Sequence, residues 1–185
     1  MPSSFSALAR TVVELCRFRR APQDLPYSPP LLTVLLVAAT VFDIVVGAVT
    51  GDAEGAFAHS LLSSGLVLGL CWIALAIRRL NHRYVQAATA LVACGLLISV
   101  VQLPIALFFQ PPAVAVAKAD MPASLLLLRF LLSWIALGVL VWQILIYAHI
   151  MRHAMESRFG IAVMLTTSWV IAYLALARVL FGLQG

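Results

Sequence analysis

Charge is scarce in this 185-residue chain: Asp, Glu, Lys and Arg together make up 10% of it, against about 25% in an ordinary soluble domain. Apolar residues reach 63%, more than a soluble fold of this size has interior to hide. A soluble globular enzyme, a disordered tail and a nucleic-acid-binding domain are thereby excluded. Cysteine is equally sparse. Cys16, Cys71 and Cys94 form no CxxC pair and are odd in number, so neither a disulfide framework nor a zinc site is indicated. There is no Walker loop, no glycine-rich dinucleotide turn, no carboxylate pair of the kind a metal-dependent transferase needs and no Ser or Cys nucleophile beside a plausible base. Nothing supports an enzyme, and no cofactor is expected. Period-2 alternation is missing too, which argues against a β-barrel.

What remains is hydrophobic length. Mean hydropathy is +1.05, and five apolar stretches stand out: about Leu31 to Thr50, Ala56 to Ile77, Tyr84 to Phe109, Leu125 to Tyr147 and Ile161 to Phe181. Each approaches the ~20 residues that carry a helix across ~30 Å of hydrocarbon. Pro104 is expected to kink the third. The expected fold is all-α, an integral membrane bundle of five transmembrane helices. Before it, Phe5, Leu8, Val12, Leu15 and Cys16 recur at helical spacing, with Arg10, Glu14 and Arg17 elsewhere around the wheel. That pattern predicts a short amphipathic interfacial helix. Residues 1–28 are thus read as a cytoplasmic N-terminal segment and 29–185 as the transmembrane domain. The first apolar stretch follows a basic run, so it reads as a retained span rather than a cleaved signal.

Basic residues set the orientation. Nine of them (Arg10, Arg17, Arg19, Arg20, Arg78, Arg79, Arg83, Arg152 and Arg158) fall on the N-terminal side of this map, and Lys118 alone falls in the opposite connections. The positive-inside rule places the N-terminus in the cytoplasm and the C-terminus outside it. Arg17, Arg19, Arg20, Arg78, Arg79, Arg83, Arg152 and Arg158 are candidate contacts for anionic lipid or a protein partner. Setting the orientation alone explains them equally well.

Asp43 lies twelve positions into the first span, about 18 Å along the helix. A carboxylate facing lipid at that depth costs ~2.5–3.5 kcal/mol on insertion scales. Thr33, Thr40, Asp43, Gly47 and Thr50 form a small, polar stripe of the kind that lets another helix approach. Arg129 and Arg178 fall in the same outer half. An intramembrane Asp43–Arg129 ion pair is the first expectation, with Arg178 as the other candidate. Separate snorkelling, protonation, or a substrate or proton site stay open as alternatives. His149 and His153 share a helix face, but the residues between them lack a general base and include Arg152, so no metal is expected and an interfacial role is favoured. Gly65 and Gly69 form a GxxxG that permits close helix contact, within the monomer in the favoured reading or in a homo-oligomer.

Three local patterns resemble the Yip1 family of small five-span membrane proteins. Asp24-Leu25-Pro26-Tyr27-Ser28-Pro29 is similar to that family's DLYGP motif. Arg83 through Ala90 is similar to the opening of the third span in bacterial relatives, and Val141 through Arg152 resembles the fourth span with its basic exit. The resemblance implies the fold and its topology, and points to a bacterial inner membrane. The function expected first is a scaffold or accessory subunit that contacts anionic lipid or a protein partner at its basic cytoplasmic face. The alternative is a small transporter or channel subunit using Asp43 and the polar stripes.

Overall fold

The computed structural model describes residues 4–50, 53–108 and 123–182. The expected connections at Gly51 and Asp52 and at 110–122, with Lys118 and Asp120, lie outside the described residues. Among the described residues every regular element is helical: α1 (Ser4–Cys16), α2 (Pro29–Thr50), α3 (Ala53–Ile77), α4 (Tyr84–Phe108), α5 (Ala123–Met155) and α6 (Phe159–Phe181), with short 3-10 turns at Pro22–Asp24 and Asn81–Arg83. Five of these, α2 to α6, are long and apolar enough to cross a membrane.

The helix limits have local causes. Ser28 accepts the Leu31 N–H on its Oγ at 3.3 Å, and Pro29 and Pro30 occupy the first helical positions, where a missing N–H costs nothing. α6 ends at a left-handed Gly182 with φ 52°, whereas α1, α3 and α5 stop without glycine. Phe18, Arg79 and Glu156 adopt left-handed φ values of 60°, 58° and 50°. Each is followed by an N–H that reaches back five residues: Arg19 to the Glu14 carbonyl, Leu80 to Leu75 and Ser157 to Arg152. These are Schellman-type closures, which satisfy otherwise orphaned carbonyls. α5 consequently continues through Met155, eight residues beyond the Tyr147 expected from hydropathy, because nothing before Glu156 breaks it. α4 runs on through Pro104 to Phe108.

The bundle is apolar on its outside. Val34, Val37, Val41, Val45 and Val49 form an exposed stripe down α2. Leu126, Phe130, Trp134 and Val141 do the same on α5, and Met164, Ile171 and Val179 on α6. Exposed apolar faces of this extent suit a lipid solvent. α4 is the central element: Ala87 through Cys94 are buried without a gap, enclosed by α1, α2, α3 and α5. The small side chains of this run (Ala87, Ala88, Ala90, Ala93) let the neighbours come close on all sides.

α1 places its apolar face on protein. Val12, Leu15 and Cys16 are buried and Leu8 packs beside them, against α4 and α5. The segment that follows runs along the same two helices. Trp142 donates its Nε1–H to the Cys16 carbonyl at 3.2 Å, His149 Nε2 meets the Arg20 carbonyl at 2.9 Å, and Gln86 donates to the Leu25 carbonyl at 2.9 Å. Asp24 closes the intervening turn by accepting the Ala21 N–H at 3.1 Å.

Candidate functional site

Asp43 is carried on the face of α2 that meets α3 and α4. The polar stripe explains this packing: Gly47, one turn further on, is buried, and Thr40 is half-buried. The carboxyl group borders a cavity of about 520 Å³ to which all five long helices contribute. From α3 come His59, Ser60 and Ser63; from α4, Ser99 and Gln102; from α5, Gln143 and Tyr147; from α6, Thr166, Trp169 and Tyr173. A second space of about 100 Å³ lies between α2, α3, α4 and α5. Asp43, Ser63, Gln143 and Tyr147 border both. Deeper toward α4's first half, the buried run that ends at Cys94 fills the bundle.

Several lining groups hold one another in place. The Tyr173 hydroxyl and His59 Nδ1 are 3.3 Å apart, joining α6 to α3. Gln143 donates to the Tyr147 hydroxyl at 3.4 Å. Thr166 turns its hydroxyl to the Ala162 carbonyl at 3.0 Å. Two lining residues are unsatisfied. Ser60 is 2% and Trp169 4% exposed, yet Ser60 Oγ and Trp169 Nε1 make no hydrogen bond. Ser60 does stand beside the Asp43 carboxyl, outside the geometry of a hydrogen bond. A buried polar atom without a partner costs about 1–3 kcal/mol; neither atom opens onto the cavity.

The expected Asp43–Arg129 pairing is not formed, nor is the Arg178 alternative. Among the described residues the ion pairs are Arg10–Glu14, Arg20–Glu14 and Arg83–Glu156. The cause is the packing order: α2 lies against α3 and α4, while α5 lies against α6 and α4. Arg129 is half-buried and Arg178 exposed, and neither borders the cavity. Of the basic candidates, Arg17, Arg19, Arg20, Arg78, Arg79, Arg152 and Arg158 are exposed. Arg83 is pulled inward to Glu156 at 2.6 Å.

The two histidines four apart serve the N-terminal segment. Their rings meet edge to face at 4.6 Å, and Phe18 adds a third ring against His149 at 5.4 Å. No group of three potential metal-ligating side chains occurs among the described residues. At Gly65 and Gly69 an added Cβ would meet nothing within 4 Å, so the GxxxG face is not packed within the monomer. The cavity wall on α6 was missed in the sequence. Trp169 and Tyr173 are four residues apart on one face, and that spacing was the available signal.

Comparison with protein-family models, curated proteins and solved structures found no match. The functional reading therefore rests on the chain's own geometry.

Proposed function

We propose that this chain is a small membrane transporter or channel subunit that takes a polar solute into the cavity beside Asp43. The observation that carries the reading is the inversion of polarity. A bundle with valine and leucine on its outside directs a carboxylate, two glutamines and several hydroxyls toward one internal space. Ionisable groups at such depth generally mark a substrate or ion path, and ligand sites in bundles lie between helices. Asp43 stands where the larger and smaller spaces adjoin, the position of a group that a passing solute must meet. The proposal assigns the protein no catalytic step and no cofactor. It places the chain in a bacterial inner membrane with the arginine-rich end in the cytoplasm, in keeping with the Yip1-like plan.

The test is accessibility. Single cysteines at Thr40, Ser63 and Gln102, in a background where Cys16, Cys71 and Cys94 are serine or alanine, are exposed to a small water-soluble thiol reagent in vesicles. Labelling at Ser63 and Gln102, with Val37→Cys on the lipid face unlabelled, is the expected outcome. Uniform protection would refute the reading.

A second reading has its own support. The topology gathers exposed Arg17, Arg19, Arg78, Arg79, Arg152 and Arg158 at one end of the bundle, where each is worth ~1 kcal/mol against anionic lipid. A scaffold or accessory subunit would use that face for lipid, for another membrane protein or for a homo-oligomer. Equal reconstitution into anionic and neutral vesicles would remove the lipid contact.

A further inference from the structure

Resting on the reading of the cavity as a solute site, we infer that its occupant is a small organic ammonium cation. Two features of the wall select it. The first is charge. Among the described residues Asp43 is the one carboxylate that borders the cavity and no lysine or arginine does, and Asp43 forms none of the ion pairs there. An ammonium group supplies the countercharge.

The second feature is the kind of cation. Among the described residues Asp43 and His59 are the only Asp, Glu, His or Cys side chains on this wall, and no group of three such side chains that could hold a metal ion occurs. The volume of about 520 Å³ falls within the range that encloses metabolite-sized molecules. Much of the remaining surface is apolar or aromatic: Phe42, Tyr147, Trp169 and Tyr173 all border it. Aromatic faces attract alkylated ammonium groups, which shed water at little cost compared with a bare metal ion.

The same chemistry arrives either as a free solute or as the headgroup of an amine-bearing lipid, and the experiment separates the two.

Labelled choline is the probe, with dimethylbutanol as a competitor of the same shape and no charge. Binding to the purified full chain in detergent is read by scintillation proximity. Choline is expected to bind, unlabelled choline to compete, and dimethylbutanol to compete poorly. Asp43→Asn weakens binding roughly ten- to a hundred-fold, the loss of the countercharge to the ammonium. Asp43→Glu retains part of it, and both variants elute as the wild type. In a parallel arm the protein sits in nanodiscs of phosphatidylethanolamine or phosphatidylglycerol. Asp43-dependent loss of choline binding in the first lipid alone identifies a headgroup source. Equal binding in both identifies a free solute. Choline and dimethylbutanol competing equally, or Asp43→Asn binding as the wild type, overturns the inference. If Ser63 and Gln102 cysteines label in the same preparation, the solute-site reading survives that result; if they are protected, both fall.

Discussion

Replacing Gly95 by alanine tests the packing around the cavity with a single methyl group. Gly95 lies on α4 opposite Tyr147, and a Cβ built there would stand 2.7 Å from the tyrosine oxygen. Carbon-to-oxygen contacts settle at about 3.3 Å or more, so the hydroxyl must retreat, although it is held by Gln143. Overpacking of this kind costs about 1–3 kcal/mol. Helix propensity returns about 0.5–1 kcal/mol when glycine becomes alanine. The net expectation is a loss of about 1 kcal/mol or slightly more, equivalent to about 2–4 °C in Tm for a domain of this size. Gly65→Ala and Gly69→Ala are the controls: with nothing within 4 Å of the new Cβ, they keep the propensity gain and raise Tm. Thermal unfolding in detergent, followed by tryptophan fluorescence, reads all three. In a Tyr147→Phe background the offending oxygen is gone, and Gly95→Ala becomes as benign as Gly65→Ala. Should Gly95→Ala raise Tm as much as Gly65→Ala in the wild-type background, the close approach of α4 and α5 described here is wrong.

Other perturbations probe the N-terminal segment and the helix ends. Trp142→Phe removes the donor to the Cys16 carbonyl and is expected to loosen α1 by about 0.5–1.5 kcal/mol, seen as faster proteolysis before Pro29. Hydrogen bonds from Arg10 and then Arg20 hold the Glu14 carboxyl below the usual carboxylate range. Because the folded value is the lower one, this contribution is complete above the ordinary value of about 4.3 and is lost as pH falls through the depressed one. Proteolysis of the segment should accelerate on that acid side, and Glu14→Gln should abolish the pH dependence. The Arg83–Glu156 pair leaves Glu156 largely in solvent, so a double-mutant cycle in thermal unfolding should give a coupling of about 1 kcal/mol at most.

The spans were legible in the sequence because lipid imposes length and apolarity on every residue of a crossing helix. α2 to α6 begin and end within a few residues of the hydropathy limits, except where α5 runs on. That extension was hidden because Ala148 to Met155 is helix-compatible without being uniformly apolar, and because its stop at Glu156 uses no glycine or proline. Asp43 was visible as an anomaly in a span, and its inward direction was legible from Gly47 and Thr40. Its surroundings were not. Which helix stands next to which is decided by side-chain fit, and hydropathy carries no record that α2 abuts α3 and α4 rather than α5. The amphipathic pattern of α1 was plain, but the same pattern suits a lipid surface and a protein groove. The groove won because Trp142, His149 and Gln86 offer donors to backbone carbonyls that lipid cannot match.

The order in which the chain is synthesised makes that last feature consequential. The Cys16 carbonyl finds its partner 126 positions later and Gln23 finds His153 130 positions later. At ribosomal speed this is a delay on the order of 10 s. During it α1 exists without its groove, and a lipid surface would be the apolar host within reach of Val12 and Leu15. The arm can be fastened to the bundle only once α5 has emerged with Trp142 and His153, so the oldest end of the chain is the last to be secured.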